Sequence, residues 1–147
     1  MKHIITLFFL TISTTLLAQK LDYNTEKGTV AKGYDIVAYF SNKVVEGSKK
    51  ITFKHNNVNF RFSNKENLNK FKENPNKYIP QYGGYCAYAL GKKGKKIDIN
   101  PETFEIRNGK LYLFYNSWGS NTLNLWKQEN TEKLKKQADI NWQKLNH

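Results

Sequence analysis

Thr103-Phe104-Glu105-Ile106-Arg107-Asn108-Gly109-Lys110-Leu111-Tyr112-Leu113-Phe114-Tyr115 is the stretch on which the fold is read. Asn108-Gly109 is the pair best able to take the positive dihedrals of a two-residue turn, and it is flanked by Thr103 to Ile106 and Leu111 to Tyr115, so a β-hairpin is predicted. Upstream, Ile51-Thr52-Phe53-Lys54 and Val58-Asn59-Phe60-Arg61-Phe62 alternate apolar and polar residues on either side of Asn56-Asn57, which predicts a second hairpin with one buried face. Ser63, with Glu66 three residues on, reads as a capping box that opens a helix; Leu68 and Phe71 share one face of it, and Asn74-Pro75 stops it. Ile36-Val37-Ala38-Tyr39-Phe40 reads as a short buried strand. From Thr131 onward, Leu134, Ala138, Trp142 and Leu145 recur at helical spacing, the mark of a core-covering face. Together these elements predict an α+β fold, a small single domain of short antiparallel β-hairpins with packed helices.

Around that domain the chain reads as an exported protein. Met1-Lys2-His3 precedes an uncharged run from Ile4 to Ala18, too short to span a bilayer and followed at once by Gln19, Lys20 and Asp22. The expected organisation is a signal peptide over 1–18 cut after Ala18, a lead-in segment over 19–32, and the folded domain over 33–147. The expected location is the periplasm or the medium, with no stable membrane anchor. The formal net charge is +12, carried almost wholly by lysine, with Arg61 and Arg107 the only arginines. Base-specific contacts favour arginine's bidentate fork, so the charge is read as solubility and attraction to acidic surfaces, not as a nucleic-acid interface. Lys92-Lys93-Gly94-Lys95-Lys96, the densest cluster, is expected in a solvated loop.

Between the first helix and the hairpin at Asn108-Gly109 lies Gln81-Tyr82-Gly83-Gly84-Tyr85-Cys86-Ala87-Tyr88-Ala89. The paired glycines admit backbone conformations closed to other residues, or the close approach of another group, and Tyr82, Tyr85 and Tyr88 are expected around the thiol of the chain's single cysteine. With Gly33-Tyr34-Asp35-Ile36-Val37-Ala38-Tyr39-Phe40 upstream, and Gly109-Lys110-Leu111-Tyr112 and Ala138-Asp139-Ile140-Asn141-Trp142 downstream, the chain resembles the exported YHS-domain proteins from about Gly33 to its end. The resemblance implies a fold similar to treble-clef-like metal-binding modules. In the metal-associated members, the pattern has a cysteine after an Asp-Pro-Val motif, a histidine before the second strand and a cysteine after a Tyr-Phe pair. His55 matches the histidine here, but Ala38 and Ser63 stand where the two thiols would be.

The candidate metal site is therefore Cys86, His55 and Asp35, with Asp98 as a further carboxylate; thiolate plus imidazole suits Cu(I) or Zn(II). Three readings of Cys86 stand side by side: a soft-metal ligand, a redox-active thiol without an internal disulfide partner, and a small buried packing residue. No nucleophile elbow, phosphate loop, HExxH or dinucleotide fingerprint occurs, so hydrolase and nucleotide chemistry have no foothold. The leading expectation is a non-catalytic accessory domain that binds a metal ion or presents a reactive thiol through Cys86, with a metal ion or an envelope protein as partner. The alternatives are a thiol-dependent redox enzyme or its partner in the envelope, and a structural interaction domain in which Cys86 only packs.

Overall fold

The computed structural model describes residues 21–146; the signal peptide read over 1–18 and the terminal His147 lie outside them. The architecture is α+β, built on the two predicted hairpins. In the first, β3 (Ser48–His55) and β4 (Val58–Phe62) pair antiparallel with His55 opposite Val58, and Asn56 and Asn57 both take positive φ in the turn. Phe60 and Phe62 point into the core, as the alternation requires. The lead-in segment is part of this sheet. It forms the short strands β1 (Thr25–Glu26) and β2 (Thr29–Val30), and β2 lies parallel to β4, giving the order β1-β2-β4-β3. The hairpin around Asn108-Gly109 joins β5 (Asn100–Arg107) to β6 (Lys110–Phe114), and Leu111 to Phe114 are all buried.

Two local expectations are overturned, both by the same carboxylate. Ile36 to Phe40 is not a strand: Ala38–Ser41 forms a 3-10 turn. Asp35 Oδ1 accepts from the backbone N–H groups of Val37 (3.0 Å) and Ala38 (3.3 Å), and this side-chain-to-backbone capture bends the chain where an extended strand would run straight. The Ser63–Glu66 capping box does not form either. Ser63 turns its hydroxyl to Asp35 Oδ2 (2.7 Å), helix α1 (Lys65–Glu73) is capped by Asn64, which accepts from Asn67 N–H, and Glu66 pairs with Lys70. Pro75 ends α1 and opens the single-turn helix α2 (Pro75–Tyr78).

Helix α3 (Ala87–Lys93) follows Cys86, so Lys92 and Lys93 lie in a helical last turn and not in a loop. Cations there complement the helix dipole, and Gly94 closes the helix in the left-handed conformation. Two short strands, β7 (Asn116–Ser117) and β8 (Ser120–Asn121), make a tight hairpin ahead of α4 (Thr122–Gln128). The predicted tail helix is α5 (Thr131–Leu145), with Leu134 and Ala138 buried, Trp142 half-buried and Leu145 exposed. It lies close against α3: a Cβ on Gly91 would come within 2.5 Å of the Leu134 carbonyl oxygen, and Asn141 Nδ2 donates to the Leu90 carbonyl at 2.7 Å. The helix that carries Cys86 at its head is thereby fixed along its length. Among the described residues no helix is long and apolar enough to cross a membrane.

Candidate functional site

Cys86 sits at the N-cap of α3, just after the 3-10 turn Gln81–Gly84. Its own N–H donates to the Ile97 carbonyl (2.9 Å) and its carbonyl accepts from Leu90 N–H, so the backbone on both sides is fixed. The side chain is 0% exposed, yet the sulfur is not caged by hydrocarbon. Tyr115 N–H donates to Sγ at 3.3 Å, and Thr122 Oγ1 lies 3.3 Å away. The Thr122 hydroxyl hydrogen is engaged by the Tyr115 carbonyl at 2.7 Å, which leaves Oγ1 to accept from the thiol. If the thiol ionises, the Tyr115 N–H remains as a donor and the Thr122 hydroxyl has only to rotate to become a second.

Cys86, though its side chain exposes no surface, is one of the residues that line a cleft of about 440 Å³. Ala89, Ile97 and Leu125 give this cleft an apolar side, Lys92, Lys93 and Lys95 rim it, and Ser120 brings in the β7–β8 hairpin. Tyr88 also lines it, donating to Glu129 Oε1 at 2.7 Å while Lys92 pairs with Oε2 at 2.8 Å. Burial and that carboxylate push the Tyr88 phenol up to about 12. The hydrogen bonds from Lys92 and Tyr88 hold Glu129 below the ordinary glutamate range. Of the three tyrosines expected around the thiol, only Tyr88 lines its cleft. Tyr82 donates to Asp139 on α5 (2.8 Å), with burial as the leading cause that raises its pKa, and Tyr85 packs on Trp142 beneath Lys96.

The glycine pair has a specific occupant. Gly83 has a φ of +60°, and a Cβ built on it overlaps the carbonyl oxygen of Asp22. Asn24 N–H donates to the Gly83 carbonyl (2.9 Å), and Asn24 Nδ2 reaches the Gly84 carbonyl (3.2 Å). The group that approaches closely is thus the chain's own lead-in, strapped across the turn that precedes Cys86.

The predicted ligands do not converge, and the three-residue metal site is not formed. Among the described residues no three His, Cys, Asp or Glu side chains are placed to hold a metal ion. His55 ends β3 with its ring edge-on to Phe71 at 5.6 Å, inside the aromatic cluster of the first sheet. Asp35 is fully buried and saturated by five donors: the N–H groups of Val37, Ala38 and Ser63, the Ser63 hydroxyl, and Asn67 Nδ2. Ala38 and Ser63 thus meet around a carboxylate whose lone pairs are already taken. The residues present do not fit a metal there. Asp98 is bonded to Lys32, Asn24 and Ile99 N–H, which together outweigh its partial burial and lower its pKa. It lines a separate, polar cleft of about 520 Å³ with Tyr34 and Glu102.

Sequence reasoning found the thiol but missed Thr122 and Tyr115. Tyr115 contributes a backbone N–H, which no side-chain pattern reveals, and Thr122 comes into range only through the β7–β8 turn. The fold and site define a small α+β domain with one thiol in a cationic cleft. No family model matches the chain, and no curated protein or solved structure matches it.

Proposed function

We propose that this chain is an exported YHS-type accessory domain that presents the Cys86 thiol in a lysine-rimmed cleft and turns over no substrate of its own. The observation that carries the reading is the setting of Cys86: among the residues that line a cleft, with the Tyr115 N–H donating to its sulfur and the Thr122 hydroxyl beside it. A cysteine that serves only as a small hydrophobe does not need polar neighbours. The lysine rim of the cleft is suited to anionic groups of a partner or reagent that approaches the thiol. The order of motifs from Gly33 to Trp142 supports the family, and the leader read over 1–18 supports export. The non-convergence of Cys86, His55 and Asp35 favours thiol presentation over a closed zinc site.

One observation favours the packing alternative, the complete burial of the Cys86 side chain. Alkylation of the native protein by iodoacetamide, followed by intact mass, separates the two. A presented thiol is modified in the native state within about tenfold of the rate in denaturant, and Cys86→Ser abolishes the adduct. Modification that requires global unfolding would leave only packing. Zinc and copper content measured on the same samples should be substoichiometric and unchanged by Cys86→Ser.

A further inference from the structure

Trp118 has no place in the core and none on its edge. It is 97% exposed at the tip of the β7–β8 hairpin, whereas Trp126 is buried and donates Nε1–H to Glu105, and Trp142 packs on Tyr82 and Tyr85. Trp118 also has a φ of +50°, a conformation that bulky residues rarely adopt. The hairpin beneath it is held firmly. Asn116 Nδ2 donates to Thr103 Oγ1, Asn100 Nδ2 donates to the Asn116 carbonyl, and Asn121 Oδ1 caps α4 through Leu123 and Asn124 N–H. A large indole is therefore offered to solvent on a fixed support, and exposed aromatic anchors of this kind carry binding energy at interfaces.

The same hairpin, through Ser120, walls the Cys86 cleft. On that cleft's rim Lys93 and Lys95 are exposed, and neither has an acidic partner within salt-bridge distance among the described residues; Lys92 is already committed to Glu129. Partly exposed Ile97 continues the apolar side outward. The surface thus combines an aromatic anchor, an apolar trough and two uncommitted cations. A bilayer is too broad and flat to enter a concave site of this size, whereas an extended polypeptide enters it readily. We propose that the Trp118 hairpin and the lysine-rimmed cleft form the docking surface for an acidic polypeptide segment of a partner protein, with Trp118 packed on its apolar side chains and Lys93 and Lys95 paired with its carboxylates. The proposal rests on the reading of the cleft as the place where Cys86 is presented, and it names the class of partner that is brought there.

The test is titration of the domain with a fluorescently labelled synthetic peptide alternating glutamate and leucine, at low and at physiological salt, read by anisotropy. Binding is expected to weaken about tenfold in Trp118→Ala and by a similar factor in the double variant Lys93→Gln/Lys95→Gln, and to fall as salt rises. These positions are exposed, and circular dichroism should confirm that each variant folds. Equal binding of a lysine–leucine peptide, insensitivity to both sets of substitutions, or no binding would overturn the proposal. So would binding to phosphatidylglycerol vesicles in the absence of peptide binding. Native-state alkylation of Cys86 by iodoacetamide, read on the parent without peptide, is a separate measurement, so docking and thiol presentation can fail separately.

Discussion

Replacing Gly83 by alanine should detach the lead-in strap without touching the thiol. Two penalties follow from the geometry. The first is the left-handed backbone at φ +60°, which costs a side chain about 1 kcal/mol. The second is displacement of Asp22, whose carbonyl occupies the space the new methyl needs, with Trp142 Cη2 only 3.2 Å away on the other side. Moving Asp22 breaks its ion pair with Lys96 and strains both Asn24 bonds to the glycine carbonyls, and each hydrogen bond is worth about 1 kcal/mol net. The expected loss is about 3 kcal/mol, or roughly 10 °C in the melting temperature of a domain this size. Gly84→Ala is the control. It shares the positive φ (+88°), but its Cβ would approach nothing closer than Pro80 Cγ at 3.4 Å, so only the backbone penalty of about 1 kcal/mol applies. Thermal melts of both variants, together with hydrogen exchange at the Asn24 amide, test the account. If Gly83→Ala and Gly84→Ala melt together and the Asn24 amide stays protected in both, the strap explanation of the glycine pair is wrong.

Two further outcomes follow from the polar groups. Asp35→Asn keeps the shape but turns an amide NH₂ toward donors that now find an oxygen, and should lower stability by about 2–4 kcal/mol in denaturant melts, whereas Asn67→Ala, which removes one of five donors, should cost about 1 kcal/mol. The folded-state pKa of Tyr88, about 12, lies above its ordinary value of 10.0, so the stability from its bond to Glu129 is fully present below pH 10 and is lost as pH rises toward 12; phenolate absorbance should show one late-titrating tyrosine fewer in Tyr88→Phe, and Glu129→Gln should bring that ionisation to lower pH. The carboxylate's own contribution has the opposite sense: present above the ordinary glutamate value of 4.5, it fades as pH falls below it.

Local chemistry was legible where it acts alone. Asn108-Gly109 and Asn56-Asn57 specify their turns because positive φ is a property of those residues, and the hairpins follow. The stripe on α5 is legible because Leu134 and Ala138 recur at the helical period. Errors arise where one side chain captures the backbone. Ile36 to Phe40 has the composition of a strand, but Asp35 takes the N–H groups two and three positions on; Ser63-x-x-Glu66 has the pattern of a capping box, but Asp35 draws Ser63 to itself from 28 positions away. The lead-in over 19–32 carries no strong periodicity, and its two-residue strands exist only because β4 offers an edge to β2. Around Cys86 the same limit holds: the thiol and the glycine pair are visible in the chain, while the Tyr115 N–H and the Thr122 hydroxyl arrive from two turns whose closure no short motif announces.

The contrast between Asp35 and Cys86 decides where chemistry is to be sought. Both are completely buried, and both were candidate ligands. Asp35, however, has every strong acceptor direction filled by donors from its own turn, from Ser63 and from α1, so a ligand could bind there only by breaking several short bonds in a low-dielectric setting. The sulfur of Cys86 has one fixed donor at 3.3 Å and one hydroxyl that can change partners, and the residue lines a cleft. A site that exchanges ligands needs unsatisfied or reassignable valence, and of the two residues only Cys86, though equally buried, has it beside a cleft. Ala38 and Ser63 are part of the fold's internal wiring around Asp35, whereas Cys86 lines a cleft.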